Sequence, residues 1–305
     1  MSEPGLHDRA LGAYLGLALG DALGATVEFM TRREIAQQHG VHRNITGGGW
    51  LKLPAGAVTD DTTMSLALGD ALLLGAHSGR PHSTTLIADA FVAWWRGKPV
   101  DCGNTCRRGI LRYLREGSLA GPPSDGDGGN GALMRNLPAV LATLGDDAAF
   151  EAVSLAQSHI THHNPQSDAA VLGIGHLLRD LLAGAGPAAC AERIAGIVAA
   201  TPAFRFSPYP GRASGYVVDT VQTVLHCFTS HADAEAAIVA AVNQGDDADT
   251  TGALVGMLAG ARGGAAALPA RWLARLQPAV RQAITAQTSA LLALAPATNA
   301  GARRA

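Results

Sequence analysis

Apolar residues recur at helical spacing along almost the whole chain. The pattern predicts a helix and its exit over 6–29, then helices over 62–77 and 84–97, the latter with Ile87, Phe91 and Trp94 on one face. It continues over 106–116, 132–144, 147–159, 167–183, 188–200, 216–226 and 233–243, with a closing helix over about 269–293. Another helical run, Ala253, Leu254, Val255, Met257 and Leu258, follows residue 252. No run sustains two-residue alternation and no linker interrupts the series. The expectation is an all-α, single-domain helical bundle over 1–295, with the Ala/Gly/Arg stretch 296–305 as a disordered tail.

Within the first helix Gly12, Gly16, Gly20 and Gly24 recur every four positions and form a smooth stripe on which a second helix can lie closely. The stripe is accompanied by Asp8, Arg9, Asp21 and Glu28, which favours packing within the molecule over packing in a membrane. Asp21 and Glu28 fall on one side if the helix persists. The loop 43–58 centres on Thr46-Gly47-Gly48-Gly49-Trp50, and a second Gly-rich loop spans 124–131. Each reads first as a turn or flexible loop, and each can also bring backbone N–H groups to a phosphate, without the pattern of a P-loop. Residues 204–214 read as an irregular surface loop.

The chain has 305 residues, enough for a substantial core, with 48% hydrophobic but only 5% aromatic residues, so Ala, Leu and Val must build it. A net charge of −2 offers no basic face and excludes electrostatic nucleic-acid binding. Cys102, Cys106, Cys190 and Cys227 make no disulfide or zinc framework and read as reduced cytosolic thiols. The apolar run 10–19 is too short to span a bilayer, and nothing resembles a signal peptide; a cytoplasmic protein with no integral membrane segment is expected.

Two stretches change the picture. Thr59-Asp60-Asp61-Thr62-Thr63 and Gly245-Asp246-Asp247-Ala248-Asp249-Thr250-Thr251 each crowd carboxylates and hydroxyls at the entrance of a helical run. One carboxylate satisfies a helix cap; the surplus repels unless a cation neutralises it, which points to hard-metal binding through oxygen. Asp101, ahead of the helix at 106, reads on its own as a cap, with Asn104 on the same loop. His159, His162 and His163 read as loop or substrate contacts, since an oxygen-rich site does not need them.

The chain resembles the ADP-ribosylglycohydrolase family. The resemblance rests on Gly20-Asp21-Ala22-Leu23-Gly24-Ala25-Thr26-Val27-Glu28, Thr59-Asp60-Asp61-Thr62, Asp101-Cys102-Gly103-Asn104-Thr105, Gly129-Asn130-Gly131-Ala132-Leu133-Met134-Arg135, Thr161-His162 and Gly245–Gly252, in the family's order over nearly the whole chain. It is strongest towards the bacterial branch that reactivates dinitrogenase reductase. The resemblance implies an all-helical fold with a dinuclear metal cleft holding two divalent cations, Mn²⁺ or Mg²⁺. It implies Thr59, Asp60, Asp61, Asp247, Asp249 and Thr250 as metal ligands, and Asp101 and Glu28 as catalytic carboxylates. Asn104, Asn130, Gly131, His162 and Tyr216 are implied as substrate contacts. Where relatives often carry Gly-Gly before the Asp-x-Asp, this chain has Gly245-Asp246, so Asp246 is left outside the ligand set.

The implied reaction is hydrolysis of the N-glycosidic bond between ADP-ribose and a protein arginine, with dinitrogenase reductase as the acceptor. The resemblance also implies a PII signalling protein as a partner and membrane recruitment through a partner. Rival readings are a non-catalytic ADP-ribose-binding regulator and an all-α Mg-dependent isoprenoid synthase, the latter disfavoured by the scarcity of aromatics. A haloacid-dehalogenase-type phosphatase fits Asp247-Ala248-Asp249-Thr250-Thr251 as a motif, but that motif belongs after an early strand.

Overall fold

In the computed structural model, which describes residues 3–296, the glycine stripe sets the architecture. The first helix, α1 (Leu6–Gly24), is followed by α2 (Arg32–His39), α3 (Asp60–His77), α4 (Thr84–Arg96) and α5 (Asn104–Glu116). Then come α6 (Gly131–Met134), α7 (Leu137–Ala142), α8 (Asp147–His159), α9 (Pro165–Leu182) and α10 (Pro187–Ala200). The chain closes with α11 (Val217–Ser230), α12 (Ala234–Val242), α13 (Ala248–Gly263), α14 (Ala270–Leu273) and α15 (Pro278–Leu294). Among the described residues there is no strand, only isolated bridges.

Helices α1 and α13 run antiparallel with their backbones in contact. A Cβ placed on Gly12 would lie 2.4 Å from the Gly260 carbonyl oxygen; on Gly16, 2.1 Å from that of Gly256; on Gly20, 2.0 Å from that of Gly252. Both helices are therefore buried on nearly every face, which is why neither shows an amphipathic stripe. The remaining helices wrap this pair. Tyr14 donates to Gln287 Oε1 of α15 at 2.7 Å, and Gln287 donates to Leu66 O and Asp70 Oδ1 of α3, tying three helices together. Met64, Leu68, Phe91, Phe150 and Trp272 fill the surrounding core.

The antiparallel pairing has a functional consequence: Gly24 packs on Ala248, so the exit of α1 and the entrance of α13 stand side by side. The acidic knot of residues 247–250 thus sits beside Asp21 and Glu28, and the start of α3 closes the third side.

Four expectations need correction. Helix α1 ends at Gly24, so Glu28 lies in a turn and not on the helix with Asp21. Asn104 is the first residue of α5 and not part of the preceding loop. The run 132–144 breaks into α6 and α7 at Arg135, whose side chain turns inward. The closing helix is likewise two pieces, α14 and α15. The tail expected over 296–305 lies, from residue 297 on, outside the described residues. No helix among the described residues is long and apolar enough to cross a membrane.

Candidate metal centre and active-site cleft

The acidic knots are not helix caps. Thr59 and Asp247 stand at the N-cap positions of α3 and α13, yet neither side chain makes a capping hydrogen bond. The start of α3 is capped from outside by Asp21: its carboxylate accepts from Thr59 N–H at 2.9 Å, Thr62 N–H at 3.1 Å and the Thr62 hydroxyl at 2.5 Å. Asp21 is fully buried, and burial raises its carboxyl to about 6 despite these donors. With the backbone satisfied, Thr59 and Asp61 are free to face α13. The Thr59 hydroxyl lies 3.4 Å from Asp61 Oδ2 and 3.3 Å from Asp249 Oδ2, and the Thr250 hydroxyl lies 3.2 Å from Asp61 Oδ2. Residues some 189 positions apart in sequence share one cluster.

A second carboxylate group adjoins it. One oxygen each from Glu28, Asp247 and Asp249 lie within 4.8 Å of one another. Glu28 accepts from the Trp50 indole N–H at 2.7 Å, Asp247 from Asn130 Nδ2 at 2.5 Å, and Asp60 from Gly103 N–H at 3.3 Å. Among the described residues no Lys, Arg or His pairs with any of these acids. Burial first, and then the neighbouring acids, lift Asp60 to about 7; burial with nearby Asp247, Asp101 and Asp60 lifts Glu28 to about 8. Asp61 and Asp249 are pushed well above the carboxylate range for the same reasons, and burial also raises Asp247.

The donor set fits a hard divalent cation. It is all oxygen, it carries surplus negative charge, and Asp61 Oδ1 is buried without any hydrogen-bond partner. A buried carboxylate oxygen left unpaired is costly unless a cation completes it. The residues able to hold metal are Thr59, Asp60, Asp61, Asp247, Asp249 and Thr250, with Glu28 alongside.

Above the knots opens a cleft of about 400 Å³ lined by Glu28, Phe29, Asp60, Asp101, Asn104, Gly129, Asn130, Gly131, His162, Asp246, Asp247, Asp249 and Thr250, among others. All the expected site residues except three therefore reach the cleft. Thr59 and Asp61 lie beneath its floor, fully buried. Tyr216 stands at the rim, its ring against Gly128, its hydroxyl donating to Gln166 and its backbone bridged to Gly129. The loop 126–131 is not flexible: Ser167 donates to Asp127 O and Gly129 O, Asn130 N–H to Gly215 O, and Arg108 pairs with Asp127 at 2.6 Å. Gly47–Gly49 do not line the cleft. Gly49 instead allows the loop to approach Ala25 O, where a Cβ would lie at 2.4 Å, and so delivers Trp50 to Glu28.

Of the three clustered histidines only His162 lines the cleft; His159 pairs with Asp168 at 3.0 Å and stacks on His163. The protonation of His162 follows from its neighbours. Arg135, fully buried, donates to Gln157 Oε1 and O and, at 2.7 Å, to Thr161 Oγ1. The Thr161 hydroxyl then has one acceptor for its own proton, His162 Nδ1 at 2.7 Å. His162 Nδ1 accepts, so the N–H is on Nε2, which packs beside the backbone of Gly129 and Gly131 in the cleft wall. Burial and the Arg135 charge hold the imidazole well below its usual range, so His162 is a neutral hydrogen-bond donor.

Sequence reading missed Asp21 as the cap of α3, Trp50 as the partner of Glu28, and Arg135 with Thr161 behind His162. Asp21, Arg135 and Thr161 left a signal, since all three lie within motifs that carry the family resemblance; Trp50 lies outside them.

An all-helical domain in which two oxygen-rich knots, at the entrances of α3 and α13, meet beside a glycine-packed helix pair is a metal-binding hydrolase scaffold, and the chain belongs to the ADP-ribosylglycohydrolase family, whose model matches residues 2–301. The chain is 54% identical over 295 residues, 97% of it and 99% of the relative, to the ADP-ribosyl-[dinitrogen reductase] glycohydrolase of Rhodospirillum rubrum. It is 33% identical over 285 residues, 88% of it and 75% of the relative, to the ADP-ribosylarginine hydrolase Tri1 of Serratia proteamaculans (strain 568). A solved ADP-ribosylglycohydrolase-related protein complex superposes with a TM-score of 0.83 at 34% identity, over 95% of this chain and 98% of that one.

Proposed function

We propose that this protein is a metal-dependent hydrolase that removes ADP-ribose from a modified arginine, with dinitrogenase reductase as the acceptor protein. The observation that carries the reading is the meeting of two distant acidic knots under one cleft, with Asp61 hydrogen-bonded to Thr250 and Asp249 to Thr59. The substrate follows from the names of the relatives above, which act on ADP-ribosylated dinitrogen reductase and on ADP-ribosylarginine. The oxygen-only donors suit two Mn²⁺ or Mg²⁺ ions better than Zn²⁺.

Held by Thr59, Asp60, Asp61, Asp247, Asp249 and Thr250, such a pair would supply Lewis acidity that lowers the pKa of a water near the ribose. The chain's own residues do the rest. Asp101 lies at the cleft beside Asp60 and faces the positive charge that develops on the sugar as the C–N bond lengthens. The bond's electron pair leaves with the guanidine nitrogen, which takes a proton from the water; the water oxygen stays on the sugar. Glu28, held by Trp50, lines the side on which the guanidine departs. His162 Nε2–H and the pinned 126–131 loop offer donors to the pyrophosphate.

The isoprenoid-synthase reading fails on the lining, where Phe29 is the one hydrocarbon aromatic side chain. The phosphatase reading fails because Asp247-Ala248-Asp249-Thr250-Thr251 opens a helix, α13. The test is incubation of the purified protein and Mn²⁺ with ADP-ribosylarginine: free ADP-ribose should appear, and Asp101→Asn should retain ADP-ribose binding while turnover falls by orders of magnitude. Tight ADP-ribose binding without release from arginine would establish the non-catalytic reading instead.

A further inference from the structure

Beside the metal-centre acids Asp60, Asp247 and Asp249 and the catalytic candidate Asp101, the cleft lining carries two groups of opposite character. At one end stand hydrogen-bond donors backed by cations: His162 Nε2–H, the glycine loop, buried Arg135 and nearby Arg108. At the other stand Glu28 and Asp246, with no Lys or Arg among the described residues paired to either. The Asp246 carboxylate is exposed and makes no hydrogen bond to any described residue.

That acidic end is also where bulky aromatics face solvent. Phe29 is 64% exposed and Trp50 50% exposed, with their rings 5.3 Å apart. Phe29 and Asp246 both hold left-handed backbone, φ 62° and 54°, which is uncommon for side chains of their kind. Two backbone hydrogen bonds fix the pair: Phe29 N–H donates to Asp246 O at 2.7 Å, and Asp246 N–H to Met30 O at 2.8 Å. A hydrophobic ring held exposed on strained backbone, at the lip of a cleft, is poorly explained by folding.

We infer that Phe29, Trp50 and Asp246 form the subsite for the acceptor guanidinium, with the pyrophosphate at the opposite, His162 end. An alkylguanidinium is a flat cation that stacks on aromatic faces and pairs with carboxylates, and this end offers both. The inference rests on the ADP-ribosylarginine reading and fixes which way the substrate lies. It also gives Asp246 a role outside the metal ligands.

The experiment compares Phe29→Ala and Asp246→Asn with wild type, using ADP-ribosylarginine as substrate and free ADP-ribose as competitive inhibitor. Each variant should raise KM about two- to fivefold, the range of an exposed cation–π or ion-pair contact, while Ki for ADP-ribose changes less than about 1.5-fold. KM unchanged in both variants overturns the subsite. Ki rising in step with KM also overturns it, because the aromatic pair would then hold adenine.

A second measurement does not depend on turnover. Benzylguanidine added with ADP-ribose should shift the Trp50 indole N–H resonance, and neutral benzylurea should not. No shift with benzylguanidine overturns the subsite whatever the activity. Failure of wild type to release ADP-ribose, with the shift present, removes the reaction and leaves the guanidinium subsite standing.

Discussion

Replacing Gly20 with Ala tests how the fold builds the metal centre. The added Cβ would sit 2.0 Å from Gly252 O and 2.2 Å from Gly252 C, both rigid backbone, where ordinary contact begins at 3.4 Å. Helices α1 and α13 must therefore separate by roughly 1 Å or more, since no flexible side chain can yield, and overpacking of this kind costs about 1–3 kcal/mol. At about 2–4 °C per kcal/mol for a chain somewhat smaller than this one, the melting temperature should fall by roughly 2–12 °C. The displacement falls next to Asp21, which caps α3, and one turn from Thr250 and Asp249. Metal sites tolerate ligand shifts of only about 0.2 Å, so Mn²⁺ affinity should fall on the order of 10–100-fold. Isothermal titration with Mn²⁺ and a thermal melt read both effects. The control is Gly196→Ala in α10, where the Cβ meets nothing within 4 Å and helix propensity should add about 0.5–1 kcal/mol. A Gly20→Ala protein with wild-type melting and wild-type Mn²⁺ affinity would refute the reasoning.

Three further outcomes follow from the site. Asp60→Ala and Asp249→Ala should abolish hydrolysis while circular dichroism shows the bundle intact; full activity in both would remove the metal assignment. Thr161→Val keeps the side-chain shape but strips an acceptor from Arg135 and the donor to His162 Nδ1, so ADP-ribose should bind about tenfold more weakly by calorimetry, at about 1–2 kcal/mol for the lost hydrogen bonds; unchanged affinity would free His162 of its donor role. In EDTA, Glu28 at about 8 and Asp60 at about 7 bind protons in the folded protein that the unfolded chain, with ordinary carboxyls, has released. Folding then takes up protons between the two ranges, so metal-free stability should decline as pH rises from about 5 to 8, whereas Mn²⁺ affinity should climb over the same interval as protons stop competing. A metal-free melting temperature that increases with pH would contradict this.

Helical spacing made most of the fold legible, because the longer helices other than α1 and α13 bury one face; the short α6 and α7 are buried throughout. Helix α2 escaped because it buries only Ile35; its signal was the capping box of Thr31 and Glu34, which no apolar periodicity accompanied. The glycine repeat announced a close helix partner but not which one, since Gly252, Gly256 and Gly260 repeat equally well without naming α1. At the site, motifs brought forward the residues that face the cleft. What lies behind them depends on contacts between distant elements. Asp21 meets Thr59 across 38 positions and Trp50 meets Glu28 across 22, and neither pairing follows from local spacing. The left-handed backbone at Asp246 explains why glycine is the easier residue there, a constraint invisible until φ is known.

The most direct measurement is anomalous diffraction at the manganese edge from crystals grown with Mn²⁺. Two peaks enclosed by residues 59–61 of α3 and its cap and residues 247–250 of α13 are the expected result. Peaks elsewhere, or none at saturating Mn²⁺, would contradict the view that these two knots make one metal centre.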